Sequence, residues 1–237
     1  MGKNNFFQFK QFRITQERSA MKVGVDGVLL GAWTDVQNCS RILDVGTGTG
    51  LIALMLAQRS NAQITAVEIE KNAADEAAEN ISVSPWKERV EVRNSSFQEF
   101  AASTDEKFDL IVSNPPFFSK SLPASNTERS LARHNHALSF TDLIQLSSKL
   151  LSTEGRISVV LPVNAFGEIS EIAARDLLYL QRMTEVNPKS EKSVTRILAE
   201  WGKTETAPVK DCITVYKDED LFSDSYVKLT REFYLKF

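Results

Sequence analysis

The sequence predicts an α/β fold, in which helices cover both faces of a mostly parallel β-sheet. From residue 41 onward, short segments rich in Val, Ile and Leu alternate with segments of helical periodicity, as is typical of such a sheet. A glycine-rich turn, Asp44–Gly50, separates the first of these strands from the first helix. The 237 residues, 42% of them hydrophobic and 25% charged, suffice for one domain with its own core.

Four strands and two helices are predicted before residue 114. The strands are short aliphatic segments at Arg41–Val45, Gln63–Ile69, Arg89–Arg93 and Phe108–Ser113. The predicted helix Leu51–Arg59 is apolar on all sides, whereas the helix Glu70–Ile81 is alanine-rich and carries its apolar residues on one stripe.

Two further helices and four further strands are predicted after residue 140. The helices Thr141–Ser152 and Gly167–Leu178 flank the strand Arg156–Leu161. Three more strands are predicted at Thr184–Val186, Val194–Trp201 and Cys212–Tyr216, and we expect the last two to pair antiparallel at the sheet edge. Residues 218–237 show no clear period, and residues 119–136 form a long aperiodic stretch of the kind that is usually functional or mobile.

The composition argues against a metal site and a membrane anchor. Cys39 and Cys212 lie far apart in the sequence, and His134 and His136 have no third ligand nearby, so no metal is expected. No segment reaches the roughly 18 consecutive apolar residues of a membrane span, and the N-terminus lacks the apolar run of a signal peptide. We therefore expect a cytoplasmic protein, whose oligomeric state the sequence does not predict.

The net charge of −3 does not favour a nucleic-acid partner, which would need a local basic surface. Residues 1–22 offer one, because they interleave phenylalanines with the basic residues Lys3, Lys10, Arg13, Arg18 and Lys22. Two interpretations remain open: the segment contacts phosphates and stacks bases, or its phenylalanines pack on the domain while its charges stay in water.

The turn after the first strand has the character of a nucleoside-binding loop, and it reads Asp44-Val-Gly46-Thr47-Gly48-Thr-Gly50. Its glycines permit a sharp bend and let a ligand approach the backbone closely. The spacing differs from the GxGxxG of phosphate-binding dinucleotide folds, and with an acid at its start it favours a ligand without phosphates. Glu68, at the end of the second strand, is placed to accept hydrogen bonds from both hydroxyls of a ribose. Dehydrogenases that bind nicotinamide cofactors carry an acid at the same position, so this motif alone leaves a nicotinamide cofactor open as a rival ligand.

The tetrapeptide Asn114-Pro115-Pro116-Phe117 follows the fourth strand and decides against that rival. The Asn114 side-chain oxygen and the Pro115 carbonyl are suited to accept both N–H groups of a planar amine, which directs its lone pair toward an electrophilic methyl group. The prolines hold both acceptors rigidly, and Phe117 is suited to stack on a base, a contact of about 1–3 kcal/mol. Together, the two loops favour an amino-group methyltransferase that uses S-adenosylmethionine.

Three further segments resemble a bacterial family, the valine-tRNA (adenine-37-N6)-methyltransferases. They are Phe9–Gln16, Met21–Trp33 and Ala132–Phe140, and the resemblance extends over nearly the whole chain. It implies a class I, Rossmann-like methyltransferase fold with a seven-stranded, mostly parallel sheet whose last strand is antiparallel. It also implies a methyltransferase domain over residues 39–237, preceded by an N-terminal segment, residues 1–38, that covers the cofactor and substrate site.

The resemblance also implies roles for individual residues. Asn114–Phe117 would hold the target adenine, which lies beside the anticodon of a valine tRNA in a single-stranded loop, where splaying a base out costs little. Glu68 would hold the cofactor ribose, and Lys22, Val23 and Asp26 would cover its methionine end. The remaining residues expected to border the cofactor are Asp44, Gly46, Thr47, Gly48, Gly50 and Asn114.

One stretch departs from the family pattern. Many relatives carry Asp after the third strand to meet the amino group of the cofactor adenine, whereas this chain has Asn94-Ser95-Ser96-Phe97. Ser96 or the backbone must take over that contact.

Two alternatives remain open at the level of the sequence. The same loop would also accept a protein glutamine or a guanine amino group, since both present a planar nitrogen. A non-catalytic RNA-binding protein that retains the cofactor pocket is the third hypothesis, against which the intact Asn114 loop argues.

Overall fold

The computed structural model describes residues 5–116, 138–218 and 221–237. Within them, two strands form an antiparallel hairpin and eight form one sheet. The hairpin consists of β1 (Phe6–Gln8) and β2 (Arg13–Thr15). The sheet consists of β3 (Arg41–Val45), β4 (Gln63–Glu68), β5 (Val90–Asn94), β6 (Phe108–Ser113), β7 (Leu151–Pro162), β8 (Tyr179–Lys189), β9 (Arg196–Gly202) and β10 (Val209–Tyr216).

Seven α-helices occur in this part of the chain, with a short 3-10 helix at Val163–Ala165. They are α1 (Val25–Trp33), α2 (Leu51–Arg59), α3 (Lys71–Ser82), α4 (Phe97–Ser103), α5 (Phe140–Leu150), α6 (Phe166–Arg175) and α7 (Asp224–Thr230). No helix among the described residues is both long and apolar enough to span a membrane.

The predicted α/β class with a mostly parallel sheet is confirmed. The strand order is β10-β8-β9-β7-β6-β3-β4-β5, and β9 alone in this sheet runs antiparallel to its neighbours β7 and β8. The sheet has eight strands rather than the expected seven, and its antiparallel strand is β9 rather than the expected last strand, because β10 adds to the outer edge of β8 in parallel. The expected antiparallel pair of Val194–Trp201 with Cys212–Tyr216 is therefore wrong. Both edges of β9 are already hydrogen-bonded, so the open edge of β8 receives β10.

Successive side chains of the central strands enter different cores, because neighbouring residues of a strand face opposite sides. Ile42 of β3 belongs to a cluster with α1, α2, the hairpin and the C-terminal segment. Leu43, the next residue, belongs to a second cluster with α4, α5 and α6. Helices thus cover both faces, as the alternation of elements predicts.

The register of the parallel strands brings three loops to one edge. Val45, the last residue of β3, pairs with Val67 of β4 on one side and with Ser113 of β6 on the other. The chain leaves each of these strands at its carboxyl end, which is where open α/β sheets bind ligands. The glycine turn, Glu68 and the Asn114 loop therefore meet at this edge.

Candidate active site

The glycine turn after β3 is held by backbone hydrogen bonds and by a conformation that suits glycine. The amides of Gly46 and Thr47 donate to the Val67 carbonyl oxygen at 2.9 and 3.1 Å. Gly46, Gly48 and Gly50 have φ angles of +73°, +57° and +82°, which side-chain-bearing residues rarely adopt. The turn is therefore anchored to β4 and leaves its outer surface open.

Asp44 supports this turn from beneath. Its side chain is fully buried, and its Oδ2 atom accepts hydrogen bonds from the Thr47 hydroxyl at 2.6 Å and from the Ala53 amide at 3.1 Å. Burial raises the pKa of the carboxyl from 3.8 to about 7. The Oδ1 atom has no hydrogen-bond partner among the residues described here. The Asp44 side chain therefore stabilises the glycine turn and the first turn of α2.

Glu68 joins the end of β4 to the same turn. Its Oε2 atom accepts from the Gly48 amide at 2.9 Å, and its Oε1 atom accepts from the Glu70 amide at 2.9 Å. Each carboxylate oxygen accepts more than one hydrogen bond, so both keep capacity for ligand hydroxyls. The carboxylate is fixed beside the turn, as ribose recognition requires.

Asn114 follows β6 directly. Ser113, just before it, donates its hydroxyl to the Val45 carbonyl oxygen at 2.8 Å, which fixes the end of β6 against β3. The Oδ1 atom of Asn114 is buried and has no hydrogen-bond partner in the described part of the chain. Pro115 is buried and Pro116 is exposed, whereas Phe117 lies outside the described residues, as do His134 and His136. An unpaired buried acceptor costs about 1–3 kcal/mol, a cost that a donor from a ligand would remove.

A cavity of about 250 Å³ lies between the glycine turn, the start of α1 and Asn114. Six of the residues expected at the cofactor or substrate line it: Lys22, Asp26, Gly46, Thr47, Gly48 and Asn114. The structure thus brings together residues that are widely separated in the sequence.

The other expected cofactor residues lie around this cavity and not on its wall. Asp44 lies beneath the turn and Glu68 at its side, as described above. Gly50 faces α3, where an added Cβ atom would lie 3.5 Å from the Cβ atom of Ala77. Ser96 is the N-cap of α4, and its hydroxyl accepts from the Glu99 amide at 3.1 Å and donates to the Glu99 carboxylate at 2.8 Å. The Ser96 hydroxyl therefore uses its one donor on Glu99 and keeps a single acceptor lone pair.

Sequence reasoning from the motifs missed part of the wall, above all Gly27. A Cβ atom at Gly27 would lie 3.1 Å from Leu51 Cδ2 and 4.0 Å from Asn114 Nδ2. A glycine at this position lets α1 approach both the start of α2 and the Asn114 side chain. The signal was a glycine within an apolar run, which suggests close packing without naming its partner.

An ion pair links this wall to β9. Arg196 Nε donates to Asp26 Oδ2 at 2.8 Å, and both side chains are about one third exposed. Asp26 thus lies in the first turn of α1, lines the cavity and joins α1 to the first residue of β9.

The residues present fit S-adenosylmethionine. Among the described residues that line the cavity, Lys22 is the only base, so the wall suits an amino-acid carboxylate better than a chain of phosphates. The glycine backbone and Glu68 suit a ribose, and within the described ranges the Asn114 oxygen accepts no hydrogen bond that a ligand would have to displace. The described residues contain no group of three or more side chains suited to hold a metal ion.

Solved structures share this fold at low sequence identity. A predicted O-methyltransferase from Agrobacterium tumefaciens aligns with a TM-score of 0.68 at 21% identity, over 88% of this chain and 96% of its own. A 16S rRNA N2 G1207 methyltransferase from T. thermophilus, solved with AdoMet and guanosine, aligns with a TM-score of 0.53 at 19% identity, over 81% and 47% of the two chains.

Sequence comparison identifies the family. The profile described as "Methyltransferase small domain" matches residues 26–174. A tRNA1(Val) (adenine(37)-N6)-methyltransferase from Bacteroides fragilis is 47% identical over 98% of both chains. A protein of the same name from Haemophilus influenzae is 42% identical over 98% of this chain and 99% of its own. Since these relatives match almost from end to end, the chain belongs to the tRNA1(Val) (adenine(37)-N6)-methyltransferase family.

Proposed function

We propose that this protein transfers the methyl group of S-adenosylmethionine to the N6 amino group of adenine 37 in a valine tRNA. The observation that carries the proposal is the buried Oδ1 atom of Asn114 beside the cavity, which no donor among the described residues reaches. The names of relatives that are 42–47% identical to this chain support the tRNA substrate. A tRNA substrate also suggests that the protein works in the cytoplasm.

The cofactor would lie against the glycine turn. When bound, S-adenosylmethionine supplies a methyl group on a positively charged sulfur. We assign its ribose to Glu68 and its methionine end to Lys22, Val23 and Asp26, with residues 1–38 as the covering segment. The contact to the amino group of the cofactor adenine is assigned to the remaining lone pair of the Ser96 hydroxyl or to backbone groups near residues 95–97.

The Asn114 loop would prepare the nitrogen of the substrate. Asn114 Oδ1 and the Pro115 carbonyl accept the two N–H groups of the adenine amine, which otherwise shares its lone pair with the ring. These hydrogen bonds draw the nitrogen toward tetrahedral geometry and direct the lone pair into the cavity. The two prolines restrict the backbone, so little ordering entropy is lost at the moment of reaction. Phe117 is assigned to stack on the base.

No strong base is required by this arrangement. The nitrogen becomes acidic only once it carries the new methyl group, and its proton can then pass to water. The main contributions are therefore alignment and electrostatic complementarity to the charge that develops on nitrogen.

The test is methyl incorporation into purified valine tRNA, with adenine or guanine at position 37 and mass-spectrometric mapping of the product. We expect N6-methyladenine at position 37 of the first tRNA and no product with the second. Equal labelling of both would reject the adenine assignment, and labelling of a release factor would move the acceptor to a glutamine. Equal labelling of other tRNAs with adenine 37 would reject the valine assignment.

Asn114→Ala provides the matching test of the loop. Removal of one preorganised polar group at a reacting centre costs about 100- to 1,000-fold in turnover, and we expect a loss of that size. The variant's thermal unfolding curve serves as the control for folding. Full activity in a folded Asn114→Ala protein would contradict the role assigned to this side chain.

A further inference from the structure

One wall of the cavity is built from an irregular segment of chain. Residues 16–24 connect β2 to α1 without a helix or strand of their own, and Met21, Lys22 and Gly24 line the cavity. Irregular segments keep one conformation only when side chains or neighbouring elements satisfy their backbone groups. The groups that hold this segment come from α3, which does not itself line the cavity.

Glu76 of α3 is the main holding group. Its side chain is completely buried. Its Oε1 atom accepts from the amides of Glu17 at 2.6 Å and Arg18 at 2.9 Å, and its Oε2 atom accepts from the Ser19 amide at 2.9 Å. Three successive backbone amides thus converge on one carboxylate, an arrangement in which fixed N–H groups favour an anion.

Asn80, one turn later on α3, holds the residue that precedes this segment. Its Oδ1 atom accepts from the Thr15 amide at 2.8 Å, and its Nδ2 atom donates to the Thr15 carbonyl oxygen at 2.9 Å. The same Nδ2 atom donates to the carbonyl oxygen of Thr49, within the glycine turn, at 2.9 Å. Asn80 therefore connects the two sides of the cavity through one side chain.

Hydrogen bonds within residues 16–24 connect the residues that α3 holds to those that form the cavity wall. The Val23 amide donates to the Gln16 side-chain oxygen at 2.8 Å, and the Ser19 hydroxyl donates to the Met21 carbonyl oxygen at 3.1 Å. Gln16 and Ser19 lie at or beside the residues that α3 holds. A shift at residues 15–19 would therefore move Met21 to Val23, and with them the lining residues Met21 and Lys22.

We propose that Glu76 and Asn80 are positioning residues for the cofactor, which hold the N-terminal segment and the glycine turn in the arrangement that binds it. The inference rests on the proposed cofactor site and adds residues that lie outside the cavity. Apparent affinity falls in proportion to the fraction of molecules in the binding arrangement. Loss of the anchoring therefore appears first in cofactor affinity and less in turnover at saturation.

The decisive variant is Glu76→Gln in the full chain. A glutamine oxygen can still accept from Glu17 and Arg18, but its NH₂ group then faces the Ser19 amide, donor against donor. One hydrogen bond to a charged group corresponds to roughly a tenfold change in an equilibrium constant or more. We expect the Kd for S-adenosylhomocysteine, measured by calorimetry, to rise about tenfold, with kcat at saturating cofactor within about threefold of the parent.

Glu79→Gln is the matched control. Glu79 lies on the same helix and carries the same charge, but its side chain is 65% exposed and pairs only with Arg18 among the ion pairs described. We expect its Kd to stay within twofold. Asn80→Asp is the second test variant, because it keeps the acceptor for the Thr15 amide and loses both donated hydrogen bonds; its Kd should also rise.

Two outcomes would overturn the inference. One is a folded Glu76→Gln protein that melts earlier but binds S-adenosylhomocysteine as the parent does, since Glu76 would then be merely structural. The other is rapid hydrogen exchange of the Glu17, Arg18 and Ser19 amides in the parent, a measurement that needs no variant; we expect these amides to be protected, and more so with ligand. A parent that binds S-adenosylhomocysteine but leaves tRNA unmethylated would reject the proposed function alone.

Discussion

Two buried side-chain oxygens at the carboxyl ends of neighbouring strands have no hydrogen-bond partner among the described residues. They are Oδ1 of Asp44, the last residue but one of β3, and Oδ1 of Asn114, which follows β6. Burial of an acceptor without a partner costs free energy, so the presence of each atom needs a physical explanation. Asn114 adjoins the cavity, where the amine of a substrate would satisfy its oxygen. Asp44 does not line the cavity, and the protein reduces the cost there by favouring the neutral carboxyl. The two oxygens thus lead to different predictions: Asn114 is proposed to bind the substrate amine, whereas Asp44 should affect stability.

The raised pKa of Asp44 predicts a pH dependence of stability. The folded protein holds the Asp44 proton up to about pH 7, whereas the unfolded chain releases it near 3.8. Between these values the folded state binds more protons, so the free energy of unfolding falls as the pH rises, by at most about 1.4 kcal/mol per pH unit from this group. The contribution is full below the lower value and is lost above the upper one.

Asp44→Asn isolates this contribution. The amide oxygen can still accept from Thr47 and Ala53, but the side chain no longer titrates. We therefore expect the stability of the variant relative to the parent to increase between about pH 4 and pH 7 and to level off above it. Urea denaturation of both proteins at four pH values measures the difference. Parallel stability profiles would show that Asp44 does not carry the proton.

At the scale of helices and strands, the sequence predicts the elements that neighbouring residues alone define. Strand β6 and helix α2 were predicted to the residue, since each is an apolar run that ends at polar or loop-forming residues. Helix α1 was missed because Gly27–Trp33 are all buried and include two glycines, so no polar face reveals the helical period. Helix α4 has seven residues, too few for a period, and its one clear signal is the capping box Ser96–Glu99.

The same distinction applies to the site. The glycine turn and the Asn114 loop are continuous motifs, and the sheet register that joins them follows from parallel strands. Glu76 and Asn80 belong to a helix that was predicted, but their burial was not, since polar residues in an alanine-rich helix usually face solvent. Their partners, at residues 15–19, lie about sixty positions earlier in the chain, and no local pattern reports such a contact.

The packing of α1 on α2 depends on Gly31, and this yields a prediction for a single methyl group. A Cβ atom at Gly31 would lie 2.8 Å from Met55 Sδ and 3.0 Å from Met55 Cβ. Gly31→Ala should therefore force Met55 out of its rotamer or shift the helices, and lower the free energy of unfolding by about 1–3 kcal/mol. Gly167→Ala is the control, because α6 has open space at that position and alanine favours a helix by up to about 1 kcal/mol. Chemical denaturation of both variants measures the contrast, and equal stabilities would contradict this packing.

At the scale of the whole molecule, the N-terminal hairpin and the C-terminal segment close on each other. The Lys10 amide donates to the Phe233 carbonyl oxygen at 2.8 Å, and the Lys10 ammonium donates to backbone oxygens of Arg231 and Phe237 at 2.6 and 2.8 Å. Phe9 and Phe12 are buried in the core. Of the two interpretations of residues 1–22, packing on the domain is thus confirmed for these two phenylalanines. The Lys10 ammonium donates to backbone oxygens of the C-terminal segment.

Phe233 lies in the contact between the hairpin and the C-terminal segment, and removal of its side chain should destabilise the whole fold. Its side chain is 1% exposed and belongs to the core shared by the hairpin, α1 and α2. Phe233→Ala creates a cavity there and is expected to lower the free energy of unfolding by about 3–5 kcal/mol. Leu235→Ala, two residues later, removes a side chain that is 61% exposed, and we expect a change within about 0.5 kcal/mol. Urea denaturation should show one cooperative transition that shifts for Phe233→Ala. If that transition stayed in place while the amides of β1 and β2 alone lost protection from hydrogen exchange, the closure would be a local unit, and the hairpin would unfold independently of the sheet.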